Sequence, residues 1–437
     1  MNIILLSGGS GKRLWPLSND IRSKQFIKFL KNDDGFFESM VQRVYRQILK
    51  VDKNANIVVA TSTNQMAIIT NQLGEKINIS IEPCKKDTYP AIALSCAYMT
   101  DVLHVDDNEP VVVCPIDSFV DDDYFFTFEK LVNCILQQTS DIALLGMVPS
   151  FPSEKYGYII PETKKDISKV QYFKEKPTVS LAEKLIKEGA LWNGGVFAFR
   201  INYLLEKAKK DIGFTNYHDL LEKYEMVDKI SFDYAFVEKE KNISVIKYLG
   251  QWKDIGTWSS LIDVIDGTII GNAIIGESCE NVNIINELSI PVLANGLKDV
   301  IIASSPEGIL VTNRDCSSQI KPYVDNIDQR VMFAERMWGS YQIINIEDES
   351  LTLKVVLNPG HSMNYHAHFK RDEKWIIVSG SGEVVLDGVR KKVFSGDVIE
   401  IKCGVKHTII ANAQIKLIEI QLGKEISIHD KIKYCLD

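Results

Sequence analysis

The sequence predicts an α/β protein that begins with a mainly parallel sheet and ends with an antiparallel β-barrel. From Ile3 to Met147, short β-branched runs alternate with amphipathic helical stretches, which is the pattern of a doubly wound sheet. From Leu351 onward, short strands are separated by glycine turns, and Asp387-Gly388 is a strong hairpin signal. Because 437 residues exceed what one hydrophobic core usually holds, we expect three parts, at 1–262, 263–322 and 323–437.

Composition and charge narrow the class of protein. The net charge of −8 argues against a general nucleic-acid binder, whose surface would be basic. No apolar run approaches the roughly 20 residues of a membrane span, and the N-terminal apolar stretch is too short for a signal peptide. The eight cysteines contain no C-x-x-C pair, so they predict neither a disulfide framework nor a zinc ribbon. We therefore expect a cytoplasmic protein without nucleic-acid or membrane partners.

The elements of the first part follow in regular order. Buried strands are predicted at Ile3–Leu6, Ile57–Ala60, Ile77–Ile81, Val111–Cys114 and Ile142–Met147. Helices are predicted at Phe36–Leu49, Thr63–Leu73, Pro90–Leu103 and Tyr124–Gln137. Ligands of such sheets bind beyond the carboxyl ends of the strands, where Ser7–Arg13, Glu82-Pro83 and Asp117 fall.

The remaining elements are less regular. We expect a strand at Gly157–Ile160, a charged loop at Phe173–Pro177, a turn leading into a strand at Trp192–Phe199, and helices at Leu181–Glu188 and Tyr203–Lys209. Short strands between Gly271 and Ile320 predict a small β connector, and the polar stretch Lys321–Arg330 predicts a linker. Barrel strands are predicted at Leu351–Leu357, Trp375–Val378, Glu383–Leu386, Val398–Ile401 and Lys416–Gln421.

The opening stretch places a glycine-rich turn directly after a buried strand. Residues Ser7 to Gly11 read SGGSG, a sequence whose backbone amides can surround an anion. Clustered cations follow at Lys12, Arg13, Arg22, Lys24 and Lys28. A Walker loop would need Ser or Thr at Arg13, and a dinucleotide fingerprint would need Gly at Leu14. The turn therefore predicts a site for several phosphates that is neither a Walker loop nor a dinucleotide fingerprint.

The motifs together resemble the nucleoside-diphosphate-sugar pyrophosphorylases, and within them the mannose-1-phosphate guanylyltransferases. The motifs are GGSGKRLWPLS, RSKQF, IEPCKKDTYPAIAL, CPID, YGYI, FKEKP, LWNGGVFAF, SFDYAFVEK and DIGTW, in that order. The last part resembles the cupin domain of the long bacterial form, which is similar to type II mannose-6-phosphate isomerases. The resemblance implies a Rossmann-like nucleotidyltransferase domain, a small β connector and a C-terminal cupin β-barrel, or jelly roll.

The implied reaction transfers GMP from GTP to a sugar 1-phosphate, most simply mannose 1-phosphate, giving GDP-mannose and pyrophosphate. Such a protein must hold two repelling anions in line and neutralise the charge that develops. The residues matched to nucleotide binding are Ser7, Gly8, Gly9, Gly11, Lys12, Arg13, Glu82 and Pro83. The residues matched to catalysis are Arg13, Lys24, Asp117 and Asp254, of which the two aspartates are expected to hold Mg²⁺.

The base and the sugar have their own candidate residues. Glu82 accepts hydrogen bonds only, so it complements the N1–H and N2–H₂ donors of guanine better than uracil or thymine. The resemblance assigns Gly157, Glu175, Lys176 and Asn193 to the sugar 1-phosphate. GTP and a sugar 1-phosphate are thus the expected small-molecule partners, and we expect a homo-oligomer.

Several positions depart from the family pattern. The usual EPxxRNTAPA is EPCKKDTYPA here, so Lys86-Asp87 replaces Arg-Asn and Tyr89 replaces a small residue. PADH is PIDS, and WNSG is WNGG. Because lysine lacks the bidentate fork of arginine and Asp87 adds a negative charge, another base, or another hexose or heptose 1-phosphate, stays an alternative.

The barrel carries a metal-binding pattern. Gly360, His366, His368, Glu373 and Gly380 match the first cupin motif, and Gly396, Gly404 and His407 match the second. His366, His368, Glu373 and His407 would therefore bind Zn²⁺ or another divalent transition metal.

The role of the barrel has two alternatives. It could interconvert mannose 6-phosphate and fructose 6-phosphate, or it could be a non-catalytic sugar-binding or oligomerisation module. The arginine-rich closing motif of the family is replaced here by Asp430–Asp437, where Lys431 and Lys433 are the only nearby cations, although Lys370-Arg371 and Lys374 could partly substitute.

Overall fold

The computed structural model describes residues 1–8, 11–19, 21–328, 330–427 and 429–436. The chain divides into two compact units. The first contains Met1–Ser10 and Lys24–Asp266, and the second contains Gly11–Ser23 and Gly267–Asp437. Each unit is described separately below.

The first unit is an α/β domain. Its strands are β1 (Asn2–Leu6), β2 (Leu30–Lys31), β3 (Phe37–Glu38), β4 (Asn56–Ser62), β5 (Asn78–Glu82), β6 (Pro110–Pro115), β7 (Ser118–Val120), β8 (Ile142–Met147), β9 (Tyr158–Pro161), β10 (Ile167–Lys174), β11 (Leu191–Arg200), β12 (Ile243–Tyr248) and β13 (Trp252–Asp254). Its helices are α1 (Met40–Val51), α2 (Thr63–Leu73), α3 (Thr88–Asp101), α4 (Thr127–Leu136), α5 (Val179–Glu188), α6 (Ile201–Ile212), α7 (Tyr217–Lys223) and α8 (Trp258–Ile262).

Nine strands form one twisted sheet in the order β5-β4-β1-β6-β11-β8-β12-β10-β9. Strands β5, β4, β1 and β6 pair in parallel, as do β8 and β12, whereas β11 and β10 run the opposite way. Neighbouring residues of β1 face opposite sides, so Ile3 packs in one core and Ile4 in the other. Helices cover both faces, which confirms the predicted mainly parallel α/β domain.

Several details differ from the sequence prediction. The predicted turn at Trp192–Phe199 lies inside β11, where the pairing register shifts between Asn193 and Phe197 and Gly195 has a φ of 72°. The sequence of such a bulge resembles that of a turn, because Asn and Gly adopt positive φ readily. The predicted helix at Phe36 begins only at Met40, where Ser39 caps it and forms a capping box with Gln42.

The second unit combines a β connector and a barrel. Its strands are β14 (Ile269–Gly271), β15 (Ala273–Ile275), β16 (Asn283–Asn286), β17 (Val292–Ala294), β18 (Val300–Ser305), β19 (Gly308–Asn313), β20 (Phe333–Arg336), β21 (Gly339–Glu347), β22 (Ser350–Leu357), β23 (His366–Ala367), β24 (Asp372–Ser379), β25 (Ser381–Leu386), β26 (Val389–Phe394), β27 (Val398–Ile401), β28 (His407–Ala411), β29 (Ile415–Leu422) and β30 (Ile432–Lys433). Its one α-helix in the described part is α9 (Lys321–Val324), within the predicted linker.

The connector stacks short parallel strands, in the order β14-β16-β18 with β19 antiparallel at the edge. The segment Gly11–Ser23 packs on it. Ser305 Oγ donates to Pro16 O at 2.6 Å, and the two terminal guanidinium nitrogens of Arg22 donate to Glu287 at 2.8 Å. The second half of the opening loop is therefore held by residues far along the chain.

The barrel consists of two antiparallel sheets that share one core. The sheets have the orders β20-β21-β22-β29-β24-β27 and β26-β25-β28-β23-β30. Asp387 and Gly388 have φ values of 45° and 83° and join β25 to β26, so the predicted hairpin is confirmed. The antiparallel barrel predicted from the sequence is thus present. None of the helices in the described ranges has the length and apolar character to cross a bilayer.

Candidate active site

Two carboxylates of the first unit are brought together by a short antiparallel ribbon. Asp117 follows β6, at the carboxyl edge of the sheet, and precedes β7. Strand β13 pairs with β7 so that Asp254 lies opposite Ser118. The side chains of Asp117 and Asp254 are 39% and 35% exposed, so their oxygens are accessible. Carboxylate oxygens are the ligands that Mg²⁺ prefers, so this pair fits the expected magnesium site.

Lys24 lies between the two carboxylates. Its Nζ is 3.0 Å from Asp117 Oδ2 and 3.5 Å from Asp254 Oδ1. The same nitrogen donates to Ile255 O at 2.9 Å. The ammonium group therefore neutralises part of the charge of the pair. Burial and the charges of Asp254 and Asp117 raise the pKa of Tyr156 to about 12.

The predicted phosphate residues are divided between the two units. Ser7 is buried directly after β1, and its carbonyl oxygen accepts from Gln25 Nε2 at 2.9 Å. Gly8 is exposed with open space around it, and Gly9 lies outside the described residues. Gly11, Lys12 and Arg13 belong to a 3₁₀ turn of the second unit, Gly11–Leu14. There Lys12 Nζ pairs with Asp325 at 3.2 Å, and the Arg13 side chain is exposed.

Glu82 ends β5 at the same edge of the sheet as Ser7 and Asp117, and Pro83 follows it. Glu82 Oε2 accepts from the hydroxyl of Tyr224 at 2.8 Å, and Glu82 and Tyr224 are both buried. Burial raises the pKa of Glu82 to about 7, against the hydrogen bond from Tyr224, which lowers it. The carboxylate therefore changes charge near neutral pH.

The residues beside Glu82 that depart from the family pattern contact neighbouring groups of the protein. Lys86 Nζ donates to Glu225 O at 2.5 Å, and the Tyr89 hydroxyl donates to Asp211 at 3.1 Å. Asp87 caps α3, accepting from the Thr88 amide at 2.8 Å. In the structure these side chains contact protein groups, so the substitutions have a structural role in addition to any effect on the nucleotide.

The predicted sugar residues form a connected cluster. The backbone N–H of Asn193 donates to Gly157 O at 2.8 Å. A Cβ added at Gly157 would lie 2.5 Å from both Glu175 Oε2 and Phe173 Cζ, so a larger residue there would displace these side chains. Lys176 follows Glu175 and pairs with its Oε1 at 2.8 Å, while remaining 56% exposed. Residues from three separate motifs thus meet at one place.

Two neighbouring residues were missed by the sequence analysis. Asp233 Oδ1 accepts from Asn193 Nδ2 at 2.6 Å, and Tyr224 contacts Glu82. Asp233 begins a π-helical turn, Asp233–Val237, in the motif SFDYAFVEK. Because π-helical turns occur often at functional sites and the motif was already matched, its carboxylate could have been chosen. Tyr224 carried no such motif.

The barrel brings its four predicted metal ligands together. The ring nitrogens of His366, His368 and His407 lie within 4.8 Å of one another, and all three rings are buried. Glu373 reaches them from the facing sheet, with Oε1 3.1 Å from His368 Nε2 and Oε2 3.4 Å from His407 Nε2. Strand pairing sets His366 directly opposite His407.

The hydrogen bonds of the histidines suit a metal. Each Nδ1 contacts a backbone carbonyl: that of Asn364 at 2.6 Å for His366, that of Val405 at 2.9 Å for His407, and that of Asp430 for His368. Because a carbonyl only accepts, each Nδ1 carries the proton, so the lone pair of each ring lies on Nε2, and that of His368 accepts from Arg371. Burial and the charge of Lys431 lower the pKa of His366 to about 2, so that ring is neutral. The donor set therefore fits a divalent transition metal.

Of three cations near the metal-ligand set, one contacts the set and two pair with carboxylates elsewhere. Arg371 is buried, and its guanidinium donates to Glu373 Oε1 at 3.0 Å and contacts His368 Nε2 at 2.9 Å. Lys370 pairs with Glu425 on the surface. Lys374 pairs with Glu400 on the outer face of β24, because strand alternation turns it away from buried Trp375. Lys374 thus does not substitute for the missing cations, whereas Arg371 adjoins the ligand set.

Comparisons with known proteins match both units. A family model described as nucleotidyl transferase matches residues 2–269, and one described as mannose-6-phosphate isomerase C-terminal matches residues 325–434. The chain is 27% identical over 476 residues to a mannose-1-phosphate guanylyltransferase of Salmonella montevideo, covering 99% of this chain and 98% of the relative. It is 28% identical over 469 residues to a xanthan biosynthesis protein of Xanthomonas campestris, covering 99% and 97%.

A solved structure supports the fold. It is titled mannose-1-phosphate geranyltransferase from Thermus thermophilus and aligns with a TM-score of 0.60 at 24% identity, covering 74% of this chain and 98% of that one. Homology to the guanylyltransferases over the full chain confirms the resemblance expected from the motifs and makes this protein a nucleotidyltransferase with a C-terminal cupin domain. The family model spans well over half of the sequence, and the chain belongs to the nucleotidyl transferase family.

Proposed function

We propose that this protein is a Mg²⁺-dependent guanylyltransferase that converts GTP and mannose 1-phosphate into GDP-mannose and pyrophosphate. The observation that carries the proposal is the meeting of Lys24, Asp117 and Asp254 at the carboxyl edge of the sheet. Relatives that align over 99% of this chain are named for mannose 1-phosphate and for xanthan synthesis. The activated sugar would serve polysaccharide assembly, and the protein would work in the cytoplasm.

In the proposed reaction, an oxygen of the sugar phosphate attacks the α-phosphorus of GTP. The bond from that phosphorus to the oxygen that bridges to the β-phosphorus breaks, and the electron pair leaves with pyrophosphate. Mg²⁺ bound by Asp117 and Asp254 would supply positive charge to the phosphates. Lys24 adds a cation from the protein, so that the developing charge is neutralised without a covalent intermediate.

Substrate selection would rest on the remaining clusters. The ionised Glu82 would accept from the N1–H and N2–H₂ groups of guanine. Glu175 and Asn193 would contact sugar hydroxyls, and Lys176 would pair with the sugar phosphate. Arg13 and the amides of Ser7, Gly8, Gly9 and Gly11 would hold the departing pyrophosphate, with Lys12 nearby in sequence and Pro83 beside the base.

A substrate panel tests the proposal. The purified full-length protein is incubated in Mg²⁺ with each of the four common nucleoside triphosphates and a set of sugar 1-phosphates, and pyrophosphate release is measured. The highest turnover is expected with GTP and mannose 1-phosphate. Absence of turnover with every pair would contradict the proposed reaction, whereas a preference for CTP or UTP would contradict only the guanine assignment.

A matched pair of variants locates the reaction. Asp117→Asn should reduce turnover by about 100-fold or more, because it removes charge at the phosphates. Asp121→Asn is the control, since this exposed aspartate lies in the same connection, beyond β7. Equal turnover in the two variants would exclude a role for Asp117.

A second candidate function is favoured by the histidine cluster of the barrel. The buried set of His366, His368, Glu373 and His407 fits a metal that could polarise a sugar carbonyl during isomerisation of mannose 6-phosphate to fructose 6-phosphate. Formation of fructose 6-phosphate by the full-length protein is the assay. His366→Ala should abolish it while His361→Ala retains it, and activity that survives His366→Ala would favour a non-catalytic barrel.

A further inference from the structure

The sugar cluster contains a carboxylate that neither the motif matching nor the comparisons assign. Asp233 Oδ1 lies 2.6 Å from Asn193 Nδ2, and the backbone nitrogen of Asn193 lies 2.8 Å from Gly157 O. Gly157 in turn leaves room for Glu175 Oε2, which a Cβ would approach to 2.5 Å. Asp233 therefore joins an unbroken line of contacts through three residues matched to the sugar site.

The two carboxylates of this cluster influence each other. Burial and the negative charge of Glu175 together raise the pKa of Asp233 to about 6. Lys176 pairs with Glu175 rather than with Asp233. Two acidic groups near one another at a partly buried site gain stability when hydroxyl groups donate hydrogen bonds to them.

The side-chain nitrogen and oxygen of Asn193 already form hydrogen bonds within the protein. Its Nδ2 donates to Asp233, and its Oδ1 accepts from the Gly195 amide at 3.0 Å. This fixes the orientation of the amide and leaves the carboxylate oxygens of Asp233 and Glu175 as the strongest acceptors of the cluster.

We infer that Asp233 is a further sugar-binding residue, which pairs with Glu175 so that the two carboxylates accept from two hydroxyl groups of the sugar 1-phosphate. This inference rests on the proposed function, since it deepens the description of the same site. A site built to accept from hydroxyls rejects analogues that lack them far more strongly than a site that only fits their shape. Asp233 would thus contribute to the choice of sugar.

The kinetic test compares Asp233→Asn with Glu238→Gln in the full-length protein. Both remove one negative charge from the same short segment, but Glu238 is exposed. For Asp233→Asn the KM for mannose 1-phosphate should rise about 10- to 100-fold, because a hydrogen bond to a charged acceptor is lost. The KM for GTP should stay within about twofold. An unchanged KM for mannose 1-phosphate, or an equal rise in both KM values, would overturn the inference.

Deoxy analogues separate direct contact from a purely structural role. A series of mannose 1-phosphates is used, each lacking one hydroxyl. For the analogue that lacks the hydroxyl bound by Asp233, wild type and Asp233→Asn should have the same KM, since neither can form that bond. If the ratio of the two KM values is the same for every analogue, Asp233 does not bind a hydroxyl and the inference is wrong.

Direct binding keeps this test independent of the proposed reaction. Trp192 precedes Asn193 and packs on Tyr156 with 4.9 Å between ring centroids, so its fluorescence should respond to sugar binding. If wild type lacks turnover with every substrate pair, the proposed function fails and titration with mannose 1-phosphate decides the inference. Saturable quenching in wild type that is weakened at least tenfold in Asp233→Asn supports it. Absence of saturable quenching in wild type, or equal affinity in both proteins, overturns it.

Discussion

The ammonium nitrogen of Lys24 lies 3.0 Å from Asp117 Oδ2, so the carboxylate expected to hold a metal already contacts a cation of the protein. The same nitrogen reaches Asp254 at 3.5 Å. Lys24 and a divalent cation therefore compete for the same pair of charges. Binding of the metal should free Lys24 to approach a phosphate.

Removal of Lys24 should strengthen metal binding and weaken catalysis. In Lys24→Gln the uncompensated carboxylates attract a divalent cation more strongly, so the Kd for Mn²⁺, used as a probe for Mg²⁺, should fall about 5- to 20-fold. Turnover should fall about 100-fold, because a cation at the phosphates is lost. Calorimetric titration and pyrophosphate release measure the two effects.

The control for this prediction is Lys28→Gln, at an exposed lysine of the same segment. Weaker Mn²⁺ binding in Lys24→Gln would refute the competition between Lys24 and the metal.

Guanine recognition should depend on pH through Glu82. Burial raises the pKa of this carboxyl to about 7, so Glu82 is mostly protonated at pH 6 and mostly ionised at pH 8. Only the ionised form accepts from both guanine donors, so the KM for GTP should fall by about tenfold as pH rises between these values. Glu82→Gln should abolish the contribution of this group. A pH profile of KM that is identical in wild type and Glu82→Gln would exclude it.

Tyr224 should set the midpoint of this pH dependence. Its hydroxyl donates to Glu82 at 2.8 Å and thereby lowers the pKa of the carboxyl. In Tyr224→Phe the midpoint should move to higher pH, and loss of the hydrogen bond should cost about 1–3 kcal/mol of stability. Tyr217→Phe, on the adjacent helix α7, is the control. A midpoint that is unchanged, measured from the KM for GTP against pH, would contradict the role of Tyr224.

The sequence predicts the strands of the parallel sheet because each is a continuous apolar run buried on both faces. For the same reason it places Ser7, Glu82 and Asp117 at one edge, as the structure confirms. The meeting of Asp254 with Asp117 is expected only from the family resemblance, because strand patterns do not show the pairing of β13 with β7 across a long stretch of chain. The bond of Asn193 to Asp233 and the packing of Gly11–Ser23 on the connector are likewise set by tertiary contacts.

The barrel also has some features that the sequence predicts and others that only the structure shows. Strand alternation predicts that His366 and His368 share a face, and the motif supplies Glu373 and His407. The sequence alone could not show that Arg371 is buried against this set, since arginine is usually exposed. Nor could it show that Lys374 pairs with Glu400, because that contact follows from the register of β24 with β27.

Arg13 should be important for nucleotide transfer but not for folding. Its side chain is exposed, so Arg13→Ala should leave the melting temperature within about 1 °C of wild type. Loss of a phosphate-binding guanidinium should lower pyrophosphate release about 100- to 1000-fold, while any isomerase activity of the barrel is retained. Thermal unfolding and both enzyme assays are compared with Lys31→Ala, an exposed lysine of β2. Full pyrophosphate release by Arg13→Ala would remove this residue from the site.

Metal should stabilise the barrel through the four clustered ligands. His407 Nε2 is buried without a hydrogen-bond partner among the described residues, and a metal would satisfy it. After treatment with a chelator, Zn²⁺ at 100 times its Kd should stabilise the folded barrel by about 2.7 kcal/mol. Hydrogen exchange of β28 in the full-length protein measures this, since it reports the barrel separately from the first unit. His407→Ala should lose the Zn²⁺ effect and His361→Ala should retain it. Protection by Zn²⁺ that is equal in both variants would show that the metal binds elsewhere.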